Sequence, residues 1–159
     1  MRMTPLLVTL LIAPPALVAQ KAPARNDSLI ALIDRFLAMP DTNRALARAL
    51  FDSAQGRADV SIDLRSQFLP WLCGNQKPSA IGGVLLTAFI AGNMRQQLIT
   101  GVSRDESGAG LAALLSVYRK LRSRPAAVVD PTLDKWLIAD SLGRVPALAD
   151  SLSHAQAKC

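Results

Sequence analysis

The residues that could support catalysis are few in this sequence. Its one histidine, His154, lies near the C-terminus beside Ser151 and Ser153, and Asp140 and Asp150 are the carboxylates of a possible Ser/His/Asp set. Neighbours along a single helix seldom converge on one substrate, and no G-x-S-x-G nucleophile elbow accompanies them. We therefore expect no enzymatic activity, and a hydrolase is only a distant alternative.

The remaining carboxylates and glycines form no cofactor motif. Glu106 is the one glutamate, and Asp41, Asp105 and Asp130 stand at expected helix starts, where N-capping accounts for them. The glycine-rich stretches lack the Lys-Ser/Thr of a phosphate-binding loop. Two cysteines and one histidine cannot supply the four protein ligands of a usual zinc site. The sequence thus predicts no cofactor and no metal.

A basic run is the first of two features that indicate binding. It consists of Arg119, Lys120, Arg122 and Arg124, in a chain of formal charge +6. Such a run suits an anionic partner, either an envelope component such as a lipid headgroup or an acidic protein. The same cations end an expected helix, where they also complement its dipole. An interaction protein with a basic surface is our first functional expectation, and a solvated helix end is the alternative.

An aromatic set is the second feature, in a chain with only 4% aromatic residues. Together these side chains could line an apolar pocket between helices, as in a carrier of a small apolar ligand or lipid. The alternative is that they simply form the core. The set is Phe68, Trp71, Phe89, Tyr118 and Trp136.

Residues 1–19 have the order of a cleavable signal peptide. Arg2 precedes an apolar stretch over 6–12, and Pro14-Pro15 is followed by Ala16-Leu17-Val18-Ala19, so cleavage is expected after Ala19 although Leu17 is larger than the small residue that the cleavage rule prefers. The apolar stretch is too short to span ~30 Å of hydrocarbon, although an uncleaved anchor is the alternative. We expect a periplasmic or secreted protein with no transmembrane span in its mature chain. Export also makes nucleic acid an unexpected partner.

Export places the two cysteines in an oxidising environment. A Cys73–Cys159 disulfide would close a loop over more than half of the chain, with a stabilisation of up to ~4–5 kcal/mol in the chain-entropy treatment. Free thiols and an intermolecular bridge are the alternatives. The bond would tie the C-terminal helix to the middle of the domain.

The elements that position these residues are predicted to be helices. Residues 20–26 are polar and predicted to be a flexible mature N-terminus, and 27–159 to form one all-α domain. Apolar residues recur with helical spacing, which predicts six or seven helices around a central apolar helix at about 79–100. Helix stops and starts are marked by Pro40, Gly56, Gly101, Pro125 and Asp130-Pro131.

Two parts of this architecture are specific expectations. In 57–78, alternation of apolar and polar residues favours a strand, whereas a lone strand lacks a partner; we favour irregular chain and a short helix around 67–73. In the central helix, Gly83, Thr87 and Ala91 form a small-residue stripe that predicts close approach of another helix.

Overall fold

The structure, a computed structural model, describes residues 25–40, 44–73, 80–124 and 129–156. In these residues the chain forms six α-helices and two short 3-10 helices with no strand, so the expected single all-α domain is confirmed. The α-helices are α1 Arg25–Ala38, α2 Arg44–Gln55, α3 Ala80–Thr100, α4 Ser107–Arg122, α5 Pro131–Ser141 and α6 Val145–His154, and the 3-10 helices are Ser66–Phe68 and Pro70–Cys73. The N-terminal predictions for 1–19 and most of 20–26 lie outside the described residues, and α1 begins at Arg25 rather than Asp27.

Helix α3 is the centre of the domain, as its composition predicts. Its first three turns carry no charge, and Leu85, Phe89 and Met94 are fully buried. Helices α1, α2 and α4 all pack against it, and α4 has the most extensive contact. A helix that is apolar on every side needs neighbours on every side, which α3 has here. Among the described helices, α3 included, none combines the length and hydropathy that crossing a membrane requires.

Helices α3 and α4 approach each other closely, and glycine permits it. A Cβ added at Gly92 would lie 2.4 Å from the Ala113 Cβ and 2.6 Å from the Ala109 carbonyl oxygen. One added at Gly110 would lie 2.9 Å from the Phe89 carbonyl oxygen. Each helix therefore contributes one glycine to a contact that has no room for a side chain.

Another helix approaches α3 closely, as predicted, but the contact does not lie at Gly83, where the small-residue stripe begins. Thr87 and Ala91 are buried, but Gly83 is exposed and a Cβ there would meet nothing within 4 Å. The backbone contact occurs at Gly92, one residue beyond the stripe. Gly83 lies nine residues before Gly92, which is about two and a half turns of a helix with 3.6 residues per turn. The two glycines therefore lie on opposite sides of α3, and Gly83 faces away from α4.

Residues 57–65 are irregular, and 3-10 helices follow them, as expected. The segment with strand-like alternation has no neighbouring strand among the described residues. A side chain takes the place of that strand and bonds its backbone. The Gln97 side chain accepts from the Ser61 N–H (2.9 Å) and donates to the Ser61 carbonyl (2.6 Å). The Asp63 N–H donates to Asp105 Oδ1 at 2.9 Å. The segment is thus held on α3 and the α3–α4 connection.

The start of α4 differs from the expectation that Asp105 caps it. Glu106 occupies the N-cap position without a side-chain cap bond, and its N–H donates instead to Oδ1 of the buried Asn93 on α3 (3.0 Å). The start of α5 confirms its prediction, since Asp130 Oδ1 accepts from the N–H groups of Thr132 and Leu133 at 2.8 and 3.0 Å. One cap comes from local sequence and the other from a neighbouring helix.

Candidate functional site

The basic run at the end of α4 is engaged within the protein. Arg119 forms an ion pair with Asp140 of α5. Lys120 Nζ donates to the carbonyl oxygens of Leu37 (2.7 Å) and Ala38 (3.4 Å), at the C-terminal end of α1. A cation is favourable there because the last carbonyls of a helix have no intrahelical partner and carry its negative dipole end. These two residues connect α4 to α5 and α1.

Arg122, one turn on from Tyr118, binds the start of α5. Its guanidinium contacts both carboxylate oxygens of Asp134, at 2.7 and 3.1 Å. Tyr118 Oη also donates to Asp134 (3.0 Å) and accepts the N–H of Asp130 (2.8 Å). Arg124 is exposed and has contacts of its own. The run therefore acts as a set of connections between helices.

Burial raises the pKa of the Tyr118 hydroxyl, and the hydrogen bond and negative charge of Asp134 raise it further. The side chain is inaccessible to solvent. Its hydroxyl is the polar end of an otherwise apolar contact between α4 and α5. This arrangement explains a buried tyrosine without any ligand.

The aromatic set divides between core and surface. Phe68 and Phe89 are fully buried with ring centroids 5.4 Å apart, and they pack one of the 3-10 helices on α3. Trp71 is half-buried against the same core. Trp136 differs from the other buried rings because it also lines a surface cleft. The five aromatic residues therefore do not converge on one pocket.

The cleft beside Trp136 lies between the 3-10 helices, α5 and α6, and has a volume of about 480 Å³. Ligand sites for small molecules have volumes of this order, with mostly apolar walls and a few polar groups. Each of three segments of the chain contributes both apolar and polar residues to the lining. The lining residues are Ser66, Gln67, Pro70, Thr132, Trp136, Leu152, Ala155 and Gln156, and we call this the α5–α6 cleft.

Two hydrogen bonds fix the walls of the α5–α6 cleft. Gln67 Nε2 donates to the Ala155 carbonyl at 2.8 Å, and Arg65 Nη1 donates to the Ser153 carbonyl at 2.9 Å. Lys135 follows Thr132 by three residues on α5, so it flanks the cleft-lining face of that helix. It is exposed and has no hydrogen bond or ion pair to any described residue.

The cleft-lining residues were not apparent from the sequence apart from Trp136. They come from three separate segments, and no spacing rule connects positions 66–70, 132 and 152–156. A larger depression of about 690 Å³ lies between α1 and α2, but Asp52 and Arg57 are among the residues that line it, and no aromatic side chain does. The α5–α6 cleft is the better candidate because an aromatic side chain lies in its wall.

The residues considered for catalysis do not assemble into a site. His154 Nε2 is 3.4 Å from Asp150 Oδ1, and both side chains are more than three-quarters exposed. Ser153 Oγ donates to the Asp150 carbonyl, and Asp140 is bound by Arg119. No group of metal-ligating side chains occurs in the described part of the chain. The side chain of Cys73, and Cys159 altogether, lie outside the described residues.

Neither a family model, a curated protein nor a solved structure matches this chain.

Proposed function

We propose that this protein is a binding protein that holds a small amphipathic molecule in the α5–α6 cleft. The observation that carries the proposal is the cleft itself, about 480 Å³ in volume, with Trp136, Pro70 and Leu152 on its walls. An indole beside a proline and a leucine offers an apolar ligand a rigid contact surface at low conformational cost. Gln67 and Thr132 would orient the polar part of the ligand.

The charge around the cleft favours an acidic group on that ligand. Lys135 flanks the cleft without an ion-pair partner among the described residues, and the chain as a whole is positively charged. In contrast, Arg119 and Arg122 already have carboxylate partners, and Lys120 binds carbonyls. We therefore propose that an anionic group binds Lys135 at the edge of the cleft, and not the basic run at the end of α4.

The experiment uses 1-anilinonaphthalene-8-sulfonate, an aromatic sulfonate whose fluorescence rises in apolar sites. The Trp71→Phe variant leaves Trp136 as the only indole, so that energy transfer from Trp136 reports binding in its vicinity. We expect saturable binding with quenching of Trp136. Thr132→Trp, at an exposed position that lines the cleft, should fill the space and abolish binding.

Lys135→Ala and Arg144→Ala form a matched pair of charge controls. Both residues are exposed, but Arg144 is not among the cleft-lining residues. Lys135→Ala should weaken binding of the dye by up to about fivefold, as expected for one exposed ion pair. Equal effects of the two variants, or unchanged binding in Thr132→Trp, would contradict the proposed site.

We further propose that the protein is exported and that Cys73 and Cys159 form a disulfide bond. The signal-like segment 1–19 supports export. The Gln67–Ala155 hydrogen bond supports the disulfide, because it holds the chain four residues before Cys159 beside the segment that leads to Cys73. Four residues reach at most ~14 Å. The secreted protein should begin near Gln20 by intact mass and show no free thiol under denaturing, non-reducing conditions.

A further inference from the structure

One edge of the extended segment 60–65 is hydrogen-bonded to the rest of the protein. This segment runs without a turn or bend between α2 and the first 3-10 helix. Ser61 pairs both its N–H and its C=O with the Gln97 side chain, and Asp63 donates its N–H to Asp105. In an extended chain the N–H and C=O of one residue point to the same edge and those of the next residue to the opposite edge. Ser61 and Asp63 therefore share the inner edge.

The outer edge belongs to Val60, Ile62 and Leu64. Their backbone groups have no hydrogen bond to any described residue. Their side chains line a groove of about 260 Å³ together with Phe51 and Ala54 of α2, and the Leu64 side chain is 45% exposed. A row of unpaired N–H and C=O groups on an extended segment is a template for pairing with another strand.

The sequence of the segment is complementary to itself. When it is aligned antiparallel to a second copy about Ile62, Val60 faces Leu64 and the central isoleucines face each other. The register also places Asp59 of one copy opposite Arg65 of the other, although within each chain Asp59 already pairs with Arg57 and Arg65 with Asp63, so the complementarity rests mainly on the apolar residues. Cross-strand pairs of apolar residues and of opposite charges are the pairs that stabilise antiparallel strands.

We propose that a second copy of this chain binds along this outer edge, so that the two 60–65 segments form an antiparallel two-stranded ribbon about a two-fold axis. In this register Val60 pairs with Leu64 of the second copy, and Ile62 with its own counterpart. These are the residues whose N–H and C=O groups point outward, so each pair exchanges both of its N–H···O=C bonds. If the register were shifted by one residue, the second copy would face backbone groups of Ser61 and Asp63 that are already bonded to Gln97 and Asp105.

The segment is already held in place in the monomer, which favours this pairing. An isolated two-stranded ribbon is at best marginally stable, because both strands must be ordered when it forms. Here Gln97 and Asp105 already fix each strand, so that ordering cost is paid within the monomer. The ribbon is smaller than a standard interface of ~1,600 Å², so the dimer should be weak and dependent on concentration.

The test is sedimentation velocity of the exported protein from about 10 µM to about 1 mM, the range in which weak complexes dissociate. Leu64→Pro removes an N–H that has no partner in the monomer, and Leu64→Ala keeps it as the matched control. We expect dimer formation in the unmodified chain and in Leu64→Ala, and at least a tenfold loss of affinity in Leu64→Pro. The urea midpoint and the circular dichroism spectrum verify that each variant is folded.

A second pair of variants acts at an exposed side chain, where folding is not at risk. Ser61 faces Asp63 of the second copy across the ribbon. Ser61→Asp should weaken the dimer and Ser61→Lys should strengthen it, each by about two- to thirtyfold, because one charge pair is changed on each side of the axis. A protein that stays monomeric up to ~1 mM, or a dimer that neither Leu64→Pro nor the Ser61 variants change, overturns the proposal.

Discussion

Two glycines of α3, nine residues apart, should respond in opposite ways to the same substitution. Gly92 faces α4, where an added Cβ would lie 2.4 Å from the Ala113 Cβ and 2.6 Å from the Ala109 carbonyl oxygen. Gly83 is exposed, and an added Cβ there would meet no atom within 4 Å. Gly83→Ala is therefore the matched control for Gly92→Ala, with the same change of helix propensity and a different environment.

The magnitudes follow from two opposing effects. Replacing a helical glycine by alanine gains roughly 0.8–1 kcal/mol from helix propensity. Overpacking a tight contact costs typically ~1–3 kcal/mol, and the backbone oxygen of Ala109 cannot rotate away as a flexible side chain could. We expect Gly92→Ala to lower the free energy of unfolding by up to about 2 kcal/mol and Gly83→Ala to raise it by up to ~1 kcal/mol.

Urea unfolding followed by circular dichroism measures both effects. With a urea dependence of ~2 kcal/mol per molar, the midpoint should fall by up to about 1 M in Gly92→Ala and rise in Gly83→Ala. Adding Ala113→Gly to Gly92→Ala should recover part of the loss, which a double-mutant cycle separates from the propensity cost of the new glycine. A midpoint that rises in Gly92→Ala would refute the close α3–α4 contact.

Two further substitutions test the polar contacts. Gln97→Leu should lower the free energy of unfolding by about 1–3 kcal/mol, because it leaves the N–H and C=O of Ser61 without their partner, whereas Gln96→Leu on the same helix is the control. Tyr118 is the one tyrosine, so absorbance at high pH reports its ionisation directly, and its pKa should lie above the usual ~10. Since the raised pKa favours the neutral folded form, this contribution to stability is complete below pH ~10 and is lost as the pH rises through the folded-state pKa. Tyr118→Phe should remove that pH dependence; an ordinary pKa for Tyr118 would contradict its burial.

Local sequence signals predicted the elements of the fold well. The uncharged stretch in α3 indicated a buried central helix, and Asp130-Pro131 indicated the start of α5. Both signals are contained in a few consecutive residues. The position of the tight contact was harder to predict, because Gly83 and Gly92 are equally small and only the location of α4 distinguishes them.

The candidate sites depend on contacts between distant residues, which sequence patterns do not show. The partner of Ser61 is a side chain 36 residues away on a helix, so the alternation around it was indistinguishable from that of a strand without neighbours. The sequence does not show that Arg119 and Arg122 have partners within the protein, because the carboxylates that bind them lie on α5. Trp136 belongs to the predicted aromatic set, but the rest of its cleft is lined largely by residues within 66–70 and 152–156, which no sequence pattern connects to it.

The hydrogen bonds that hold the end of α6 join parts of the chain that are far apart in sequence. Gln67 and Arg65 reach carbonyls 88 residues further along the chain, whereas α3 and α4 are joined by a short connection. Closing a long loop costs more entropy than closing a short one, so when Cys73 and Cys159 are reduced, α6 should dock after α3 and α4 have paired. Amide hydrogen exchange should then be faster in α6 than in α3, with α6 detaching while the central helices stay folded. Because Leu152 and Ala155 line the α5–α6 cleft, the same local opening would provide a route by which a ligand enters and leaves.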